Sequence, residues 1–281
     1  GLLAQAALDA GGGPEFWGMD VSQLADFLRA NEQSVGDYST DHGLSDDHSH
    51  VCLLSPCPHD HGDARFRQPV AGEATSDLAV MVVNMHVIVD VVIKPATKHY
   101  QGILGYWSCV NLEAPKRAGT FVSHCWSERF ADFAATLRVL PPDTAVWICS
   151  FALPQNIDMQ QVLGSSPRHS PFARALDAAQ RVLLAVDEEV LPLTRSWCCF
   201  EVFLALSTSK HLEIRAPVTN HALYLKIHER AKSMDIRSCR ASSARDHERI
   251  MRAVHGNEDL VNRRVREHIE GIVQLLQTYV P

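Results

Sequence analysis

The sequence predicts a three-layer α/β fold, a short parallel sheet between helices, over about residues 78–256. Two observations carry that expectation. From residue 119 onward, short β-branched or apolar runs alternate with segments of helical spacing, repeating every roughly 25–35 residues as βαβ units do. Each of the three clearest runs also turns polar at its carboxyl end, with Ser123, His124 and Trp126, then Ser150 and Phe151, then Asp187 and Glu188.

The elements follow in order. VSQLADFLRANEQ (21–33) is an amphipathic helix with Asp20 as its cap and Leu24, Phe27 and Leu28 on one face. Residues 1–77 otherwise form a partly disordered N-terminal region whose composition turns polar after Tyr38. LAVMVVNMHVIVDVVI (78–93) is a long apolar stretch, too short for a bilayer and interrupted by Asn84, His86 and Asp90. GTFVSHCW (119–126), AVWICSF (145–151) and RVLLAVD (181–187) are strands. Between them lie the helices FADFAATLRVL (130–140) and SPFARALDAAQ (170–180), the second capped by Ser170 with Pro171 in its first turn. A helix begins near Leu193–Ser196 with Thr194 as cap. HLEIRAPV (211–218) is a fourth strand, HALYLKIHERAKSM (221–234) a helix, and MDIRSC (234–239) a fifth short strand. Residues 243–256 are helical, and 257–281 form a C-terminal helix with a stripe of Leu260, Val261, Val265, Ile269, Ile272, Val273 and Leu276.

Composition narrows the function. The 281 residues carry 26 basic and 33 acidic side chains, a formal charge of −7. No basic field attracts nucleic acid, and no segment is long and apolar enough for a membrane helix. Eight cysteines (52, 57, 109, 125, 149, 198, 199 and 239) are scattered through apolar surroundings, as reduced thiols of a cytoplasmic protein are. The chain opens on Gly1 rather than Met, as a fragment would; no charged segment precedes GLLAQAAL, so no signal peptide is expected.

Chemistry concentrates on TRSWCCFEVFLAL (194–206). Trp197, Cys198 and Glu201 fall at helical i, i+3 and i+4 spacing, so they share one face. An acid on an aromatic, thiol-lined face is costly to bury without a partner. In an open parallel sheet that helix start lies at the ligand-binding edge. The ordinary alternative is an acid paired with Arg195 or solvated.

FVSHCW, a helix, a hydrophobic strand, then SPFARALDAAQRVLLAVD and SWCCFE resemble a Toll/interleukin-1 receptor (TIR) domain, over about residues 80–255. More closely, the chain resembles the divergent TIR-like proteins of protists and algae, and its stretch VIVDVVIKPATK (87–98) also resembles the lead-in of those proteins. The resemblance implies a flavodoxin-like fold and hydrolysis of NAD as substrate, with Glu201 as the catalytic carboxylate. It also implies that Trp197 and Cys198 position the helix and that Phe121 and Ser123 face the nucleotide. Where plant TIR domains carry Arg-Gly after the first strand, this chain has Cys125 and Trp126, and Trp126 is placed to stack on a base or fill the pocket. The stretch 150–170 is a longer loop than is usual. The alternative that the resemblance offers is a non-catalytic assembly module that self-associates through that loop.

DHGLSDDHSHVCLLSPCPHDHGD (41–63) offers Cys52 and Cys57 with His48 or His50 and His59 or His61 as a tetrahedral zinc set. The spacing fits no known zinc module, and a polar linker is the preferred reading. Adjacent Ser123 and His124 point to opposite faces of a strand and cannot form a catalytic couple. Asp187 and Glu188 either help to bind ribose or a metal or serve the loop, and loop solvation is preferred.

Overall fold

The apolar character of residues 120–123 on both faces requires a strand covered from both sides, and the chain supplies that cover. The computed structural model describes residues 12–41, 67–68, 80–81, 83–100, 103–164, 166–217 and 221–279. Five strands, β1 (Met19–Asp20), β2 (Thr120–Ser123), β3 (Ala145–Ile148), β4 (Arg181–Ala185) and β5 (His211–Arg215), form one mixed sheet in the order β1-β3-β2-β4-β5. β2 to β5 run parallel, and β1 is antiparallel on the β3 edge. A separate two-residue pairing joins Arg67–Gln68 to Val80–Met81.

Strand periodicity sorts the core onto two faces. Phe121, Trp147, Val182, Leu184 and Leu212 point to one side. There they meet α7 (Pro171–Ala178), α8 (Ser196–Ser207), α9 (His221–Ser233), α10 (Ala244–Val254) and α11 (Glu258–Tyr279). Val122, Val146, Ile148, Leu183 and Ala185 point to the other. On that side lie α1 (Val21–Asp41), the helical run α2 (Met85–Ile88, a π turn Val89–Ile93 and Lys94–Thr97), α3 (Trp107–Asn111) and α4 (Phe130–Leu137). The architecture is α/β, with helices on both faces of the sheet.

Several local expectations hold for the reasons given. Ser170 caps α7, its hydroxyl accepting from the Ala173 N–H at 3.3 Å, with Pro171 following. The apolar stretch, for which the sequence suggested no element, is helical from Met85 to Ile93, with Asn84 at its cap, the side chain accepting from His86 and Val87 N–H. Other expectations need correction. The Asp20 carboxylate pairs with Lys116, and it is the Gln23 side chain that reaches back to the Asp20 N–H. Val21, Leu24 and Phe27 enter the core and β1 joins the sheet, so the packed unit begins well before residue 78. Residues 234–239 form no strand, because the Ile236 N–H donates to the Asn262 side chain instead of a neighbouring strand. The stretch 150–170 is not one open loop; it contains most of α5 (Cys149–Ala152), α6 (Met159–Leu163) and a 3-10 turn at Pro167–His169. The C-terminal helix packs through its expected stripe: Val261, Val265, Ile269 and Val273 lie in the same core as α8 and α9.

Candidate active site

Three crossovers bring their first residues to one edge. After β2 the chain runs through His124, Cys125 and Trp126; after β3 it enters α5 at Cys149; after β4 it passes a 3-10 turn (Leu191–Thr194) into α8. Together with α2, α6 and residues 240–246, these segments enclose a cavity of about 390 Å³. The connections from β2 and β4 leave in opposite directions across the sheet, and the crevice such a reversal opens is where doubly wound sheets bind ligands.

The approach to α8 is constrained. Val190 holds a left-handed backbone, φ 54°, a conformation that costs a β-branched residue about 1–2 kcal/mol. Asp187 offsets that cost: its carbonyl accepts from the Val190 N–H and its side chain from the Leu191 N–H at 2.7 Å. Asp187 is therefore the cap of this turn, with its pKa raised to about 6 by burial, and it does not line the cavity. Thr194, expected to cap α8, instead donates its hydroxyl to the Leu191 carbonyl at 2.7 Å. The first amide of α8, from Ser196, is taken by the Arg240 carbonyl at 2.9 Å, so backbone pairing replaces the side-chain cap.

Glu201 sits one turn into α8, 5% exposed and on the cavity wall. It does not pair with Arg195, whose guanidinium donates to the Ser242 hydroxyl at 3.2 Å. Its partner is Ser123, the last residue of β2, whose hydroxyl donates to Glu201 Oε2 at 2.6 Å. Among the described residues no hydrogen bond reaches Oε1. Burial raises the Glu201 pKa to about 8, against the smaller opposing effect of the Ser123 bond. The free protein at neutral pH therefore carries Glu201 mostly as the neutral acid, ready to ionise beside a cation.

The other expected residues divide. Trp197 lines the cavity and stacks on Phe172, with ring centres 5.0 Å apart and planes at 16°. Cys198 also lines it, its thiol donating to the His124 carbonyl at 3.3 Å and so tying α8 to the end of β2. Trp126 lines it as well, edge-on to His86, with its indole N–H donating to Cys149 Sγ at 3.1 Å. Of the two residues expected to face the nucleotide, neither lines the cavity. Ser123 is buried and meets the site through Glu201. Phe121 shares its strand face two residues further back, fully buried and stacked on Trp147 at 5.0 Å.

His124 faces away from Ser123, as adjacent strand residues must. Its Nδ1 lies 3.2 Å from Glu128 Oε1 and its Nε2 3.8 Å from Cys149 Sγ. Burial holds His124 down to about 3, raises Glu128 well above the carboxyl range and pushes Cys149 up to about 12. His124 and Cys149 are both neutral at pH 7, which makes this a packed polar strut rather than an activated thiol.

Sequence reasoning missed Cys149, Phe172 and Arg240 as cavity residues. Only the polar turn at each strand end hinted at the first; the other two come from segments brought in by tertiary packing. No group of His, Cys, Asp and Glu among the described residues is arranged to hold a metal ion, and the proposed ligands Cys52 and Cys57 with their flanking histidines lie outside the described residues. No helix among the described residues is long and apolar enough to cross a membrane. The chain matches no protein-family model, no curated protein and no solved structure.

Proposed function

We propose that the chain is a TIR-like NAD glycohydrolase, hydrolysing the nicotinamide–ribose bond with Glu201 as its catalytic carboxylate. One observation carries the reading: a buried acid at the carboxyl end of the sheet, held by Ser123 through one oxygen, lies on the wall of an aromatic-lined cavity. The strand order supports the flavodoxin-like fold that the reading requires. Numbering only the parallel strands, it runs second, first, third, fourth, the beginning of the flavodoxin-like order.

The chemistry suits those groups. Loss of nicotinamide leaves positive charge on the ribose C1′ and ring oxygen, and a fixed carboxylate beside it lowers the barrier. The Ser123 bond holds Glu201 in one orientation, so little reorganisation is needed as that charge develops. The pyridinium ring of NAD, itself a cation, favours the ionised acid on binding. Water then adds to C1′, and its proton passes to the carboxylate and on to solvent. Trp126 and Trp197 line the cavity and supply aromatic surface for the two ring systems.

The test is nicotinamide release from NAD by the purified chain and by Glu201→Gln. Turnover that falls by about 100-fold or more in the variant supports the assignment. No turnover by the native chain at high concentration, or equal turnover by the variant, removes it; self-association without turnover would then favour the assembly module.

A further inference from the structure

The charges around the cavity do not cancel. Asp90 is matched by Lys94, with Oδ1 to Nζ at 2.5 Å. Asp246 is matched by Arg249 at 3.7 Å and also accepts from the Gln160 amide at 3.0 Å. Glu201 is mostly neutral at pH 7 and His124 fully so. Two guanidinium groups are left over. Arg195 and Arg240 both line the cavity, and neither forms an ion pair among the described residues. They are adjacent because their backbones are zipped in a parallel bridge, the Arg240 N–H donating to the Thr194 carbonyl at 2.8 Å and the Ser196 N–H to the Arg240 carbonyl at 2.9 Å. Such pairing starts both side chains from neighbouring backbone positions on the same cavity wall, and two cations within reach of one ligand favour a multivalent anion. In a chain of net charge −7 this local excess is not a by-product of composition.

We infer that Arg195 and Arg240 form a diphosphate subsite at the cavity mouth, taking a nucleoside diphosphate or the diphosphate of a dinucleotide. This rests on the glycohydrolase reading only for the dinucleotide; the subsite itself follows from the arginine pair. It orients the ligand, with phosphates at the arginines and a ring system against Trp197 on the adjoining wall. The arginines position substrate and take no part in bond cleavage.

Calorimetric titration with ADP, inorganic pyrophosphate and adenosine tests it on the full chain, Arg195→Gln, Arg240→Gln and Glu201→Gln. ADP and pyrophosphate should bind the native chain and weaken about tenfold to hundredfold in each arginine variant. Adenosine binding should not change between native chain and arginine variants, and Glu201→Gln should retain ADP. Arg240 is exposed, so its variant folds even if the Arg195 variant does not. Absence of ADP and pyrophosphate binding, or equal binding by the native chain and Arg240→Gln, overturns the subsite. ADP binding that depends on the arginines without NAD turnover leaves the subsite and removes the glycohydrolase. Turnover with an unchanged KM in Arg240→Gln does the reverse.

Discussion

Glu201 and Glu128 are buried beside the same strand end, one against Ser123 and the other against His124, residues that point to opposite faces of the sheet. Burial raises the pKa of both. Only Glu201 lines the cavity. Glu128 sits against a histidine that is itself packed on Phe133, ring centres 4.4 Å apart. A shifted pKa therefore does not by itself mark an acid that a ligand can reach; access does, because a charge that develops in a ligand can be stabilised only by a group the ligand reaches.

The largest expected effect breaks the comparison directly. Glu201→Gln should reduce NAD turnover by about 100- to 1,000-fold, and Glu128→Gln should leave turnover within about threefold while lowering stability, as loss of a buried acid–imidazole contact does. Parallel single-turnover and thermal-melt measurements check both, and equal losses of activity would erase the distinction.

Next in size is the pH dependence. The free protein must ionise an acid whose pKa is about 8, so kcat/KM should climb about tenfold per pH unit below that value and level off above it. A profile already flat from pH 6 would mean that Glu201 is ionised in the free protein. A smaller effect comes from Ser123→Ala. The Ser123 hydroxyl lowers the Glu201 pKa, so its loss should move the midpoint upward and cut turnover at pH 7 by up to about tenfold, with recovery at high pH.

A separate effect lies in stability. Between the ordinary carboxyl range and about 8, the folded protein binds more protons than the unfolded chain at Glu201, so stability falls as pH rises through that window. Glu128 adds to the fall with the same sign. Melting temperatures followed from pH 5 to pH 9 should decline less in Glu201→Gln than in the native chain.

Much of this arrangement is legible in local sequence. The strands at 120–123, 145–148 and 181–185 announce themselves as apolar runs, and the Ser170–Pro171 start of α7 by its cap. The shared face of Trp197, Cys198 and Glu201 follows from helical spacing, and all three line the cavity. Where local reading failed, a distant partner had intervened. Residues 234–239 have strand-like composition, yet Asn262 takes the Ile236 amide. Phe121 lies on the expected face, but its depth along the strand places it under Trp147.

By itself the sequence determined the alternation of strands and helices and the face that Trp197, Cys198 and Glu201 share, since both rest on side-chain periodicity within a dozen residues. The tertiary structure alone decided that Ser123 meets Glu201 across 78 positions, that Arg195 goes to Ser242 and that Arg240 lies beside it. Those contacts set the charge and protonation of the cavity. They depend on which segments the two cores draw together, a global packing outcome that no local period encodes.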